Sequence, residues 1–335
     1  MKQNRTIKTL STPGTLSIAV LLGLLALLFV TFFSHLIVPD ISHSVLYPFR
    51  QLAEGVLFPE WETGSMLTVF LVNILAVALL VFLLFRSNEQ HSFIRVRTIL
   101  PCLFFVFLLI TSCVPLMFCS GLWGAFALLF ALWRLMPAYQ EKNPTRNVFD
   151  VFFLLAVGSF FSFELLFLIP VFWLSFPFYR ITSFRTFMAS VIGLIAAYIV
   201  LAAILLPLGA LPDFWDSVRQ QFEIPVSFSG ISPYLIVYLV FLFLFFLLSF
   251  FSFFLRMNED KIRVKQTLFF FFLLTFSLFV ISVIRIQVFS QSFPLLALML
   301  SITTGRYFAL NESRISLFLF IFFVLVGAVF FVLNG

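Results

Sequence analysis

A few charged residues stand beside long apolar runs, where a charge is costly and therefore informative. Two of them are carboxylates that could act as a general base towards an acceptor hydroxyl. Three are arginines, whose planar guanidinium can grip a phosphate through two parallel N–H bonds. The candidate site therefore consists of Asp40 and Glu164 as catalytic residues and of Arg285, Arg219 and Arg50 as lipid-phosphate ligands.

Each of these residues also has a purely structural interpretation. Asp40 could cap a short interfacial helix. Glu164 could be a hydrogen-bonded carboxyl at a helix turn. Arg285, which lies between two isoleucines, could simply extend its side chain to the membrane surface, and the same interpretation applies to Arg50 and Arg219.

The sequence predicts no cofactor. A divalent metal at Asp40 would need His35 and His43 as further ligands, and nothing in their spacing fixes a coordination geometry. The three cysteines form no CxxC pair and are interpreted as small apolar residues. Motifs of soluble phosphate, dinucleotide, zinc-protease and serine-hydrolase sites are absent from the sequence.

The elements that must position these residues are membrane helices. Hydrophobic residues make up 62% of the chain and charged residues 10%, against roughly 45–50% and 25% in soluble domains. Backbone groups in lipid must be bonded within their own segment, so the predicted fold is an all-α polytopic transmembrane bundle without a soluble domain. Basic loops on one membrane face account for the net charge of +6, and no nucleic-acid partner is predicted.

Apolar runs of about 20 residues, the length that crosses the hydrocarbon core, predict about 11 helices in one integral-membrane domain over residues 1–335. The first run is longer than a signal-peptide core of about 7–15 residues and is assigned as the first span. Residues 148–179 could form one long helix or a hairpin of two short ones that turns near Glu164. The predicted spans are 16–38, 66–85, 98–116, 120–137, 148–163, 165–179, 184–209, 232–255, 266–284, 289–304 and 315–333.

The distribution of basic residues favours the hairpin. With a cytoplasmic N-terminus, the hairpin leaves 17 Lys and Arg residues inside and 3 outside, whereas a single helix over 148–179 gives 11 and 9. The predicted location is a bacterial inner membrane, with the N-terminus in the cytoplasm and the C-terminus in the periplasm. Two outer segments, 39–65 and 210–231, mix acids with aromatic residues and predict short interfacial helices over one shared cavity.

Two resemblances attach a function to this layout. The stretch TILPCLFFVFLLITSCVPLMFCSGLWGAFALLFALWRLMPAY resembles the paired helices of GT-C-type glycosyltransferases, in which one helix reaches an outer Pro and the next returns to a basic residue. The following DVFFLLAVGSFFSFELLFLIPVFWLSFPFYR is similar to their next hairpin, and the long first outer loop fits as well. The segment RITSFRTFMASVIGLIAAY, with Arg180, Arg185 and Gly193, and Asn73 in FLVNIL resemble a family of uncharacterised polytopic inner-membrane proteins of Bacteroidota.

The GT-C resemblance implies transfer of a sugar from a polyprenyl-phosphate carrier at the outer face, in envelope glycan assembly. In those enzymes an acid of the first outer loop, here Asp40, acts as base or metal ligand, and basic residues hold the lipid phosphate. Asp40 lacks the second acid usually beside it, and Glu164 stands where the hairpin turn often carries Lys. The expected partners are membrane lipids, a polyprenyl-linked sugar and a membrane-protein partner.

Two other functions stay open at the level of sequence. The chain could be a non-catalytic subunit that scaffolds an envelope-assembly complex, in which case its polar side chains would point apart into separate contacts. It could also be a transporter or flippase. Transport ranks last, because the sequence has no internal repeat of the kind that many transporters show.

Overall fold

The computed structural model describes residues 14–35, 66–91, 94, 96, 98–112, 120–207, 211–222, 233–311 and 313–334. Within these ranges the chain is all-α, with twelve α-helices, three single-turn 3-10 helices and no strand. The α-helices are α1 (Thr15–His35), α2 (Met66–His91), α3 (Leu100–Thr111), α4 (Ser120–Leu135), α5 (Thr145–Phe161), α6 (Glu164–Tyr179), α7 (Phe184–Leu205), α8 (Leu211–Phe222), α9 (Pro233–Arg256), α10 (Ile262–Ile284), α11 (Phe289–Leu310) and α12 (Arg314–Asn334).

The helices confirm the all-α fold, and their length and composition suit a multi-pass membrane protein. Seven helices of the described part are long and apolar enough to cross a membrane, namely α2, α4, α7, α9, α10, α11 and α12. Shorter apolar segments lie in α1, α3 and α6, and α5 has 17 residues. Each of the predicted spans overlaps one of these helices, and α8 lies inside the predicted outer segment 210–231.

The region 148–179 is a hairpin of two helices, as the charge distribution predicts. The chain leaves the helical conformation at Ser162, whose backbone is extended (φ −137°, ψ 104°), and α6 begins at Glu164. A helix of 17 residues covers about 25 Å, which is less than the ~30 Å hydrocarbon core. The hairpin turn, and Glu164 with it, therefore lies within or at the edge of the apolar zone.

The hairpin turn is packed tightly against α4. A Cβ added at Gly124 would lie 2.5 Å from the Cβ of Ser162, so only glycine allows this approach. On its other side α5 packs along α7. The position of the turn is thus set by two neighbouring helices and not by the hairpin alone.

The centre of the bundle is α11, which packs against α3, α4, α9 and α10. Its segment Ser292–Leu310 is 83% buried inside the protein. In contrast, α7, α9 and α12 expose apolar side chains such as Ile192, Val240 and Leu325. Helices that are apolar on every side suit lipid on one face and protein on the other.

Helix α10 runs from one end of the bundle to the other. Its 23 residues extend over about 34 Å. One end, here called the basic end, carries the loop with Arg256, Lys261, Arg263 and Lys265. The other, here called the Arg285 end, carries the turn from α10 into α11.

Candidate functional site

Glu164 and Arg285 form a buried ion pair at the Arg285 end. Arg285 Nη1 lies 3.3 Å from Glu164 Oε1, and the two side chains are 6% and 0% exposed. Glu164 is the first residue of α6, and Arg285 follows the last residue of α10. Because α6 packs against α10, two charges that lie 121 residues apart in the sequence come into direct contact.

The carboxylate of Glu164 is also bonded from its own turn. Ser162 Oγ donates a hydrogen bond of 2.6 Å to Glu164 Oε2, so each carboxylate oxygen has a donor. The N-terminus of α6 adds the favourable end of the helix dipole. A buried charge is costly unless it is paired and hydrogen-bonded, and this carboxylate meets both conditions.

The guanidinium of Arg285 is held from two further directions. Its Nη2 donates a hydrogen bond of 2.6 Å to Oε1 of Gln221 on α8. Its central carbon lies 5.4 Å from the ring centroid of Phe163 and 5.8 Å from that of Phe167, within the range of cation–π attraction. The ion pair thus connects the hairpin, the α10–α11 turn and the amphipathic helix α8.

The side-chain amide of Gln221 has an unsatisfied hydrogen-bond donor. Its side chain is 2% exposed, and its Nε2 has no hydrogen-bond partner among the described residues. The amide cannot be reversed to remove this problem, because only its oxygen can accept a bond from Arg285. A buried donor left unsatisfied costs about 1–3 kcal/mol, so this position favours an acceptor such as a water or a ligand oxygen.

Gln221 was not among the predicted site residues, although the sequence of helix α8 carries a signal for it. The residues that α8 turns towards the protein include Phe214, which is 5% exposed and lies seven positions before Gln221. Positions seven apart share a helix face, so Gln221 is a polar residue on the apolar face of an amphipathic helix. That pattern was available in the sequence of segment 210–231 and is the signal that points to it.

The structure does not gather all of the predicted site residues. Arg219 lies on α8 two positions before Gln221, and its side chain is exposed. Residues two apart do not face the same way, so Arg219 does not share the face of α8 that carries Gln221. Asp40 and Arg50 lie outside the described residues, as does segment 39–65. Their proposed roles, and a cavity shared with α8, stay predictions.

The described residues show no metal centre. In the part of the chain that the structure describes, no group of three or more His, Cys, Asp and Glu residues is placed to hold a metal ion. Asp40 and His43 are not in that part.

The cluster therefore offers hydrogen-bond donors but no carboxylate that an acceptor hydroxyl can reach. Glu164 is wholly buried, with a donor on each oxygen, so no acceptor hydroxyl reaches it in this arrangement. A guanidinium has five N–H groups, and the bonds to Glu164 and Gln221 use two of them. The remaining N–H groups and Gln221 Nε2 are donors on adjacent side chains.

No protein-family model, curated protein or solved structure matches this chain. The function has to be inferred from the geometry of its own residues.

Proposed function

We propose that the protein is a GT-C-like glycosyltransferase of a bacterial inner membrane, which takes a sugar from a polyprenyl-phosphate carrier at the Arg285 end. The observation that supports this most is the pair of unused donors on Arg285 and Gln221 at the edge of the apolar zone. A phosphate on a lipid presents acceptor oxygens at that depth, and charge-assisted bonds to it are the strong ones.

In this proposal Arg285 holds the phosphate of the carrier. As the bond from the sugar to the phosphate breaks, negative charge grows on the phosphate oxygens, and a preorganised cation stabilises it. Glu164 acts through Arg285 as a positioning residue, because its carboxylate fixes the guanidinium at 3.3 Å. Arg219 on α8 and, by this proposal, Arg50 supply further positive charge to the phosphate.

The base in this proposal is Asp40. Removal of a proton from the acceptor hydroxyl contributes roughly 10²–10⁴ in rate, and the group that does it must be reached by the acceptor. Asp40 follows the predicted first span directly, which suits a base at the membrane surface. Glu164, buried and fully bonded, is less suited to this role than to holding Arg285.

A second function is favoured by a different observation. Both oxygens of Glu164 are bonded and its side chain is 0% exposed, which is the geometry of a permanent link between α6 and α10. In a non-catalytic subunit of an envelope-assembly complex, this link would hold the Arg285 end in shape for a partner. Loss of the pair would then reduce assembly, and Asp40 would have no chemical role.

Binding of undecaprenyl phosphate to the purified protein tests the phosphate site. Gln221→Leu removes the unused amide donor, together with the oxygen that accepts the bond from Arg285, and keeps the size of the side chain. Its affinity for undecaprenyl phosphate should fall about tenfold, as for one hydrogen bond to a charged group, while binding of phosphate-free undecaprenol stays unchanged. The matched control is Gln266→Leu, a partly buried glutamine at the basic end. Native mass spectrometry gives both affinities, and equal binding by wild type and Gln221→Leu would contradict the proposal.

Complementation separates the enzyme from the subunit. In cells whose envelope changes when the gene is deleted, Asp40→Asn should accumulate normally and fail to restore the envelope if Asp40 is the base. Full restoration by Asp40→Asn would favour the subunit function. Immunoblotting of the membrane fraction checks accumulation.

A further inference from the structure

The phosphate site proposed at the Arg285 end is covered in this structure. The side chains of Arg285 and Glu164 are 6% and 0% exposed, and Gln221 is 2% exposed. The phosphate of a polyprenyl carrier is larger than a water molecule and has a lipid chain attached, so it does not reach donors that are this deeply buried. If the site takes a lipid phosphate, one of the elements that cover Arg285 must move to admit it.

Side chains from the hairpin contact the guanidinium of Arg285 on one side. Glu164 forms the ion pair with it at 3.3 Å, and the rings of Phe163 and Phe167 lie against it. Because α6 packs against α10, an outward movement of α6 would separate the ion pair. Two charges would then be left in the protein interior without a counter-charge, which is costly. Helix α6 is therefore a poor candidate for the moving element.

Helix α8 covers Arg285 from another side and is attached to the bundle by one face. Phe214 and Val218 on that face pack on an apolar cluster formed by α5 and α7, and the ring centroid of Phe214 lies 6.3 Å from that of Phe160. Gln221, three positions after Val218, accepts the hydrogen bond of 2.6 Å from Arg285. Positions three and four apart share a helix face, so these inward side chains leave the bundle together when α8 moves outward.

An outward movement of α8 costs less in a membrane than it would in water. Trp215 is 58% exposed, and Asp216 and Arg219 are exposed as well, a composition that suits a helix in the membrane interface. Lipid chains are as apolar as leucine, so the apolar inward face exchanges contacts with protein for contacts with lipid. The Nε2 of Gln221 has no partner among the described residues, which makes the covered arrangement less stable than a fully bonded one.

We propose that α8 is a lid over Arg285, which moves outward to admit a polyprenyl phosphate and then closes on it. This inference rests on the proposed function and adds how its site is opened. In the closed complex Gln221 keeps its bond to Arg285, and its Nε2 donates a hydrogen bond to a phosphate oxygen. The lid thus sets the rates at which the lipid enters and leaves, whereas Gln221 contributes to its affinity.

Exchange of bound lipid measures how often the lid opens. The purified full-length protein is loaded with undecaprenyl phosphate, an excess of deuterated undecaprenyl phosphate is added, and native mass spectrometry follows the replacement. Phe214→Ala removes the ring that packs on Phe160, so α8 should open more often and the exchange should be about tenfold faster. The control Phe184→Ala removes a ring that is 77% exposed at the start of α7, and it should exchange as wild type does.

A route along α6 is the alternative to the lid. Phe167 is 40% exposed, and its ring centroid lies 5.8 Å from the central carbon of the Arg285 guanidinium. Rotation of this ring would uncover Arg285 towards the lipid while α8 stays in place. In that case Phe167→Ala would speed the exchange and Phe214→Ala would not, a result that would overturn the lid.

Chemical modification of α8 tests the lid even if Phe214→Ala does not fold. In a chain whose three natural cysteines are replaced by alanine, Val218→Cys places a thiol on the inward face, and Asp216→Cys places one at an exposed position. Undecaprenyl phosphate holds the lid closed, so it should slow the reaction of the Val218→Cys thiol with a water-soluble thiosulfonate at least about threefold. It should leave the Asp216→Cys thiol unaffected, and undecaprenol, which lacks the phosphate, should slow neither.

The outcomes separate the lid from the phosphate site. If undecaprenyl phosphate binds to the wild type, but exchanges equally fast in Phe214→Ala and Phe184→Ala or protects neither thiol, the lid is overturned and the phosphate site stands. If undecaprenyl phosphate does not bind to the wild type at all, the proposed function fails and the lid fails with it. Faster exchange in Phe214→Ala, together with protection of the Val218→Cys thiol alone, supports the lid.

Discussion

Replacing Glu164 by Gln removes the negative charge of the buried pair and keeps the shape of the side chain. Arg285, 6% exposed, would then hold a charge without a counter-charge. Removing one member of a buried pair typically costs about 3–5 kcal/mol. The bond to Gln221 and the rings of Phe163 and Phe167 remain, and contacts of the ring type contribute about 0.5–2 kcal/mol. We therefore expect the free energy of unfolding to fall by about 3 kcal/mol, at the lower end of that range.

Removing both charges should cost less than the two single losses added together. In the double variant Glu164→Gln with Arg285→Met, no charge is left buried, and methionine fills much of the space of the arginine stem. The single and double variants form a cycle that isolates the interaction between the two side chains. We expect a coupling energy of about 2 kcal/mol, within the 0.5–3 kcal/mol usual for residues in contact.

The assay is reversible unfolding in mixed detergent micelles, followed by tryptophan fluorescence. The control is Glu89→Gln, which breaks a pair with Arg86 at 3.6 Å in which the side chains are 30% and 54% exposed. A pair so exposed contributes below about 1 kcal/mol. If Glu164→Gln costs no more than Glu89→Gln, or if the losses of the two single variants simply add, the reasoning from burial is refuted.

Two further predictions concern packing and topology. Gly124→Ala should lower the free energy of unfolding by about 1–3 kcal/mol through overpacking, because the added Cβ would lie 2.5 Å from that of Ser162. The control Gly23→Ala, which has nothing within 4 Å, should be neutral or stabilising. Equal effects of the two variants in thermal unfolding would contradict the contact between Gly124 and Ser162. Alkaline phosphatase fused after Gly335 should be active and a fusion at residue 260 inactive, and the reverse pattern would contradict the eleven-span topology.

The membrane class and the succession of helices follow from the sequence alone. The length of each apolar run, compared with the thickness of the bilayer, indicates which segments form membrane helices. Each such segment must also satisfy its backbone hydrogen bonds internally. The break near Glu164 was predictable too, because the count of basic residues on each side opposes a single helix over 148–179. These are local or additive properties of the sequence.

The contacts of the candidate sites could be predicted only in part. Glu164 and Arg285 were identifiable because charges in apolar surroundings are rare, and the proposal that they share a site rested on their chemistry. Their direct contact depends on how α6 packs against α10, and the bond to Gln221 depends on where α8 lies.

These contacts could not be predicted because a membrane helix has apolar surroundings on both its lipid face and its protein face. In a soluble protein, the alternation of polar and apolar residues shows which face of a helix turns inward. In this chain lipid and protein interior are both apolar, so α6 and α10 carry little information on which face meets which neighbour. Among the described helices, only α8, which lies outside the apolar runs, shows an inward face in its sequence, and that face carries Gln221. Length and composition thus determined the helices, and tertiary packing around α11 decided which of their few polar side chains meet.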